Sequence, residues 1–177
     1  EPYPYSYNYA VKNIDINHLN DKVTLLNAGY ANDSEVKVDE NKITTGWSAL
    51  IPSENGKSIK LYSFKSLIKD YNLNNDDLLL KMDCEGCEYN MLNEENETLR
   101  KFKRIELEFH YGHKNLESKL KEAGFTVTIL DAAKSKGGDS VLKKMAEENG
   151  EYTIGLLYAE RVWIFIQKMW KHLISEN

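Results

Sequence analysis

The stretch DLLLKMDCEGCEYNML, residues 77–92, places an apolar run, two cysteines and several acids next to one another. Its first half, 77–83, predicts a buried parallel strand, because strands covered on both faces are continuously apolar. Asp83 ends this run and is expected at the tip of the strand. Gly86 then permits a tight turn, and residues 87–102 have the pattern of a helix. The stretch therefore predicts a strand, a turn rich in acids, and a helix.

The two cysteines, Cys84 and Cys87, have the spacing of some redox and metal sites. A redox pair needs positive charge or a helix N-terminus to lower the thiol pKa, whereas the neighbouring acids would raise it. A zinc site would need two more soft ligands, for which His110 and His113 are the candidates at hand. We therefore predict that both cysteines are small apolar core side chains and that there is no metal site, with redox or metal chemistry as the alternative.

The acids of the stretch are the stronger candidates for chemistry. Asp83 and Glu85 flank the turn at the end of the predicted strand, where α/β proteins bind ligands. Glu88 falls in the first turn of the following helix, where the helix dipole favours a carboxylate. The alternative is that all three acids only cap this helix.

The composition limits the class of protein. The chain has 177 residues, enough for one domain with a sizeable core. Its net charge of −5, with both signs mixed along the chain, argues against a nucleic-acid partner. No apolar run is long enough for stable membrane insertion. Two cysteines cannot build a disulfide framework, so we expect the reducing cytoplasm.

The order of predicted elements indicates an α/β protein. Helices and strands alternate, which predicts a mostly parallel sheet with helices on both faces. We expect one α/β domain over residues 1–160. The predicted helices are 6–19, 63–73 and 115–125. The predicted strands are a short one in 22–33 that ends in a loop after Leu26, two in 41–64 on either side of the turn at 54–56, the first of them 41–53, and single strands at 104–110, 126–130 and 152–160.

The last segment, residues 161–177, is predicted to be a separate amphipathic helix, since its bulky side chains fall on one helical face. Such a helix would pack on its own sheet or against a second copy, forming a homodimer. The alternative is a helix on a membrane surface, for which tryptophan and lysine are suited.

The central stretch resembles the FkbM-type methyltransferase signature, in which an apolar strand ends in Lys-x-Asp-x-Glu-Gly-x-Glu and leads into a helix. Residues 59–70 are similar to the short strand and helix that precede this signature in the family. Residues 102–110 are similar to its next strand. Residues 1–17 resemble its Glu-Pro-x-Pro segment and the helix after it, so the resemblance covers roughly residues 1–130.

The resemblance implies an S-adenosylmethionine-dependent methyltransferase on a doubly wound, Rossmann-like class I sheet. The first strand and the glycine-rich loop of that fold do not precede Glu1 in this chain. We expect the chain to be a fragment in this respect. The alternative is a truncated relative that acts as a non-catalytic binding domain on a degenerate methyltransferase scaffold.

The resemblance also implies which residues bind the cofactor. Glu1 would end the second strand of the family fold and bind the ribose hydroxyls, because a carboxylate can accept from two adjacent hydroxyls. Asn27 and Ala28 would follow the third strand and lie beside the adenine. Asp83 would face the methionine part of S-adenosylmethionine or the substrate.

The implied catalytic residues are Asp83, Glu85 and His110, at one edge of the sheet. Methyl transfer to oxygen needs alignment and often a base, and histidine has a suitable unperturbed pKa for this role. The implied reaction is O-methylation of a small hydroxyl-bearing or sugar-like substrate, such as a sugar or a glycan. The alternative for His110 is a strand-end histidine bonded only to local backbone.

Overall fold

The structure, a computed structural model, describes residues 1–41, 50–73, 77–134 and 153–161, and the side chains of 131–134 are not among the described ones. The helices and strands alternate along most of the chain. A 3₁₀ helix at Cys87–Asn93 accompanies four α-helices, α1 Pro4–Ile16, α2 Phe64–Asp70, α3 Asn96–Leu99 and α4 Lys114–Glu122. The strands are β1 Ala28–Tyr30, β2 Ser34–Val38, β3 Lys57–Tyr62, β4 Leu78–Met82, β5 Phe102–Phe109, β6 Thr126–Lys134 and β7 Thr153–Glu160.

The strands of the described residues form two mixed sheets. The first has the order β1-β3-β2, with β1 parallel and β2 antiparallel to β3. The second has the order β4-β5-β7-β6, with β4 parallel to β5 and both other pairs antiparallel. The α/β class is therefore confirmed, but these strands form two mixed sheets where the sequence predicts one mostly parallel sheet.

The first strand starts later than predicted, which changes the position of two predicted cofactor residues. The sequence predicts that Asn27 and Ala28 follow a strand, whereas Asn27 precedes β1 and Ala28 is its first residue. The reason is pairing, since β3 matches only Ala28–Tyr30, in register with Lys60–Tyr62. A strand is held by its ladder of hydrogen bonds, and an apolar sequence alone does not supply a partner.

The hairpin around residues 54–56 uses a different first strand from the predicted one. β3 is its second strand, and β2 pairs with it so that Val38 lies opposite Lys57. A Cβ atom at Gly56 would collide with the carbonyl oxygen of Val38, so only glycine fits there. The predicted first strand at 41–53 is wrong in its described part, and residues 42–49 lie outside the described residues.

The predicted helix at 87–102 is divided into two short pieces. The 3₁₀ helix ends at Glu94, where the backbone becomes extended, and α3 begins at Asn96. The carboxylate of Glu94 is buried and accepts a hydrogen bond of 2.7 Å from the backbone N–H of Phe64. This long-range hydrogen bond explains why local helical periodicity does not continue through residue 94.

Two apolar clusters hold the elements together. The larger includes Leu107 and Phe109 of β5, Leu120 of α4 and Leu157 of β7, all fully buried or within 1% of it. The smaller one is Tyr3, Val38, Ile59 and Leu61 around the first sheet. The larger cluster lies under β5, the strand that leads to His110.

Strand β4 is covered less completely than its apolar sequence predicts. Among the described residues it pairs only with β5, and Leu79 is 69% exposed. The prediction of a strand buried on both faces is therefore wrong for this part of the chain.

Within the described ranges, none of the helices has the length and apolar character needed to cross a membrane. The predicted C-terminal helix is outside the described residues from position 162 onward.

Candidate functional site

The loops after β4 and β5 meet at one edge of the second sheet. The two strands are parallel, with Lys81 opposite Glu106 and Met82 opposite Leu107. Because parallel strands end at the same edge, this register brings Asp83 beside Glu108. His110 follows two residues later, on the same side of the chain as Glu108. The structure therefore brings together the side chains that the sequence predicts to be catalytic.

The turn after β4 has an unusual backbone. Glu85 and Gly86 both have positive φ, +54° and +112°, a region that glycine adopts freely and other residues rarely do. This turn brings the Cα atoms of Cys84 and Cys87 to 5.4 Å, and the two sulfurs form a disulfide. The prediction that these cysteines are unbonded apolar side chains is therefore wrong. The local reason is the turn, which lies within the Cα separation that a disulfide requires.

Glu88 fixes the two loops to each other. Its side chain is completely buried, and its Oε2 accepts a hydrogen bond of 2.8 Å from the N–H of Gly86. Its Oε1 accepts one of 3.0 Å from the N–H of His110 and lies 3.0 Å from Nδ1 of the same residue. A buried carboxylate needs such partners, because an unpaired one is costly to remove from water. Glu88 is thus more than a helix-capping acid.

Tyr89 provides a second connection between the same loops. Its hydroxyl donates to the carbonyl oxygen of Gly112 at 2.7 Å and accepts from the N–H of Tyr111 at 2.8 Å. Burial is the main reason why the pKa of Tyr89 lies above its ordinary range, with the charge of Glu88 adding to the effect. The phenol therefore remains a neutral donor at physiological pH.

His110 is buried, and its second ring nitrogen faces carboxylates. Only 6% of its side chain is exposed, and Nε2 lies 3.3 Å from Oε2 of Glu85 and 3.9 Å from Oδ1 of Asp83. Burial lowers the pKa of His110, but the hydrogen bond and charge of Glu88 together with the charges of Glu85 and Glu108 raise it by more. The net result is a pKa above the ordinary value of histidine.

Glu85 is affected in the same direction. Burial raises the pKa of its carboxyl, the charge of His110 lowers it, and the charges of Asp83 and the nearby glutamates raise it further. Both groups therefore keep a proton to higher pH than isolated side chains in water, and perturbed pKa values of this kind are common at functional sites. Asp83 is half exposed and lies on the solvent side of this pair.

The predicted cofactor residues form a second group near the first sheet. The Glu1 carboxylate accepts a hydrogen bond of 2.8 Å from the N–H of Tyr3. The side-chain amide of Asn27 donates to the carbonyl oxygens of Glu1 and Pro2, and its oxygen accepts from the Lys57 ammonium at 3.2 Å. Asn27 thus holds the residue 1–2 backbone against the start of β1. Among the described residues, no hydrogen bond or ion pair joins this group to His110.

The sequence pattern alone does not identify two residues of the site. The position of Glu88 in the first turn of the predicted helix favours helix capping, although Glu88 is the last acid of the Lys-x-Asp-x-Glu-Gly-x-Glu signature. Glu108 was not singled out, although strict alternation along β5 places it on the same side as His110. Asp83, Glu108 and His110 each offer a ligand atom, and these atoms lie within 4.8 Å of one another.

The two mixed sheets and the polar residues at the ends of β4 and β5 are compatible with the class of α/β methyltransferases. The methyltransferase FkbM domain matches residues 1–127. The chain therefore belongs to the FkbM methyltransferase family, as the signature at residues 81–88 indicates. No curated protein matches the chain, and no solved structure does.

Proposed function

We propose that this chain is part of an S-adenosylmethionine-dependent methyltransferase that methylates a hydroxyl oxygen of a small or sugar-like substrate. Family membership supports methyl transfer. The observation that supports an oxygen acceptor is the Glu88-bound His110, whose Nε2 faces Glu85 and Asp83 at the edge where β4 and β5 end. An acceptor hydroxyl placed there would have two neighbouring groups able to take its proton.

The residues near β1 fit the proposed cofactor in part. The Glu1 side chain is exposed, and after its contact with Tyr3 it retains lone pairs for the two ribose hydroxyls. Both ends of the Asn27 amide are already bonded, so we expect Asn27 to position Glu1 and Ala28 to offer only backbone and a methyl group. When bound, S-adenosylmethionine supplies a methyl group already activated on a sulfonium.

The chain's own contribution to the chemistry is alignment and proton removal. Asp83 would bind the acceptor beside the donor, since its carboxylate is half exposed and points to the same nitrogen as Glu85. The hydroxyl proton of the acceptor would pass to the Glu85–His110 pair, while the donor would lose its methyl group to the oxygen through cleavage of the carbon–sulfur bond and leave as S-adenosylhomocysteine. Alignment of this kind accounts for much of the rate that an enzyme gains on an activated donor.

Calorimetric titration of S-adenosylhomocysteine into the full natural polypeptide tests this proposal. We expect a saturable one-site isotherm that Glu1→Ala weakens by about tenfold or more, because a hydrogen bond to a charged group contributes about 1.5–3 kcal/mol. Glu122→Ala removes an equally exposed carboxylate at the end of α4 and should leave the affinity unchanged. An absence of binding would favour the non-catalytic scaffold, and equal losses in both variants would remove Glu1 from the site.

The acceptor class needs a separate assay. Transfer of a labelled methyl group to a panel of sugars, glycans and simple alcohols should identify hydroxyl compounds as substrates, and His110→Ala should reduce turnover. Unchanged turnover in that variant would remove His110 from the mechanism. A nucleic-acid substrate is not part of the proposal, given the acidic chain, and a homodimer through residues 161–177 stays a prediction.

The cellular location also stays a prediction. A cytoplasmic protein is the expectation from the sequence, but the Cys84–Cys87 disulfide is more typical of oxidising compartments. Mass spectrometry of alkylated protein taken directly from cells would show which state occurs. Two alkylated cysteines would favour the cytoplasm, and none would favour an oxidising compartment.

A further inference from the structure

Negative charge is concentrated around His110. The carboxylates of Asp83, Glu85 and Glu88 lie within 3.0–3.9 Å of its ring nitrogens, and Glu108 lies close to Asp83 and His110. Within the described ranges, none of these four acids forms an ion pair with a lysine or an arginine. A protonated His110 would offset only one of the four negative charges, so the cluster would keep a net negative charge that a bound cation would offset.

His110 has the orientation of a metal ligand. It is buried, Glu88 engages its Nδ1 at 3.0 Å, and its Nε2 faces the carboxylates of Glu85 and Asp83. In metal sites a histidine commonly donates one ring N–H to a carboxylate while the other nitrogen binds the ion. The two contacts of Nε2 with carboxylates, 3.3 and 3.9 Å, are longer than a usual N–H···O hydrogen bond of about 2.7–3.2 Å.

We propose that Asp83, Glu108 and His110 bind a divalent metal ion. Their ligand atoms lie within 4.8 Å of one another, and bonds of about 2.0–2.2 Å place two ligands of one ion at most about 4.4 Å apart. Small side-chain rotations close that difference, since Asp83 is half exposed.

The donor set indicates which ion is bound. Carboxylates suit Mg²⁺, Ca²⁺ and Mn²⁺, whereas an imidazole favours the transition metals. One imidazole with two carboxylates therefore favours Mn²⁺ or Zn²⁺ over Mg²⁺. With Asp83 and His110 acting as ligands, such an ion would hold and polarise the acceptor oxygen, and Glu85, 3.3 Å from Nε2, would be the member of the Glu85–His110 pair that takes the proton. That use of the ion depends on the proposed function, whereas ion binding itself does not.

Titration of the chelator-treated full polypeptide with Mn²⁺ tests the site without donor or acceptor. Electron paramagnetic resonance should show loss of the free-ion signal with one ion per chain and a nitrogen coupling from the imidazole. Glu108→Gln and Asp83→Asn change only partly exposed side chains, and each should weaken binding by tenfold or more. Glu97→Gln removes the same charge from an exposed residue of α3 that lies outside the cluster and should change the affinity by less than twofold.

Three results would overturn the metal site. The first is that neither Mn²⁺ nor Zn²⁺ binds at millimolar concentration. The second is that bound Mn²⁺ shows no nitrogen coupling, and the third is that Glu97→Gln and Glu108→Gln weaken binding equally. Thermal melts of the variants verify that each is folded. The metal site and the proposed function can fail separately. A protein that binds S-adenosylhomocysteine but no Mn²⁺ contradicts only the metal site. A protein that binds Mn²⁺ but no S-adenosylhomocysteine contradicts only the methyltransferase.

Discussion

At the scale of single residues, one buried carboxylate determines how the site is arranged. Glu88 accepts hydrogen bonds from Gly86 and His110 and holds the loops after β4 and β5 together. The orientation of His110, and with it the direction of Nε2, therefore depends on a residue that does not itself face the acceptor.

Replacement of Glu88 measures this dependence. Glu88→Ala leaves the N–H groups of Gly86 and His110 without their acceptor, and an unsatisfied buried group costs about 1–3 kcal/mol. We expect a loss of about 3 kcal/mol in the free energy of unfolding by urea denaturation. Glu88→Gln keeps an acceptor oxygen and should lose less, and Glu97→Gln, on an exposed side chain of α3, should lose under about 0.5 kcal/mol. A loss for Glu88→Ala as small as that of Glu97→Gln would contradict the structural role.

At the scale of elements, a second acid determines where α2 begins. Asp33 accepts from the N–H of Ser63 at 2.8 Å and from the hydroxyl of Ser66 at 2.6 Å. Ser63 in turn accepts from the N–H of Ser66, as an N-cap residue does. The hydrogen bonds from Ser66 and Ser63 lower the pKa of Asp33, and burial opposes them.

This shift predicts a pH dependence of stability. The unfolded chain has an aspartate pKa of about 3.9 and the folded chain a lower one, so the folded state favours the carboxylate. The contribution is present above the unfolded pKa and is lost as pH falls through the folded pKa. Asp33→Asn should therefore destabilise the protein more at pH 6 than at pH 3 in urea denaturation, and Ser66→Ala should raise the Asp33 pKa measured by NMR. Equal effects of Asp33→Asn at both pH values would argue against this account.

The elements differ in how far their sequence determines them. Helix α1 and strands β4 to β7 follow from the local pattern of apolar residues, and the end of β4 places Asp83 as predicted. The extent of β1 and the division after Asn93 were not predictable locally. Both depend on partners far along the chain, β3 for the first and the Phe64 N–H for the second. The disulfide likewise depends on backbone angles at Glu85 and Gly86 that residue types alone do not specify.

At the scale of the whole molecule, aromatic rings connect the two sheets. Tyr30 of β1 stacks on Phe64 at 4.1 Å, and Phe64 contacts Phe102 of β5 edge-on at 5.1 Å. Glu94 lies beside this stack, where it accepts from the Phe64 N–H and the Tyr30 hydroxyl. These contacts set the first sheet, with its proposed cofactor residues, against the second sheet, with His110.

Adjacent acids allow a matched test of this connection. Glu94 is 8% exposed, whereas Glu95 is exposed and pairs with Lys65 on the surface. Glu94→Ala should lower the free energy of unfolding by about 2 kcal/mol through two lost hydrogen bonds. Glu95→Ala should lower it by less than about 1 kcal/mol, as for other surface ion pairs. Similar losses in a calorimetric melt of the two variants would show that Glu94 does not join the sheets.

The Cys84–Cys87 disulfide has a practical consequence for anyone who prepares this protein. The bond closes a ring around Glu85 and Gly86. The reducing or oxidising conditions during preparation therefore determine whether this candidate active site contains the disulfide. A thiol added routinely to a purification buffer would yield the dithiol form, and storage in air would yield the bonded form. Two laboratories could then report different activities for the same gene product, and assays should state the redox state of the preparation beside its concentration.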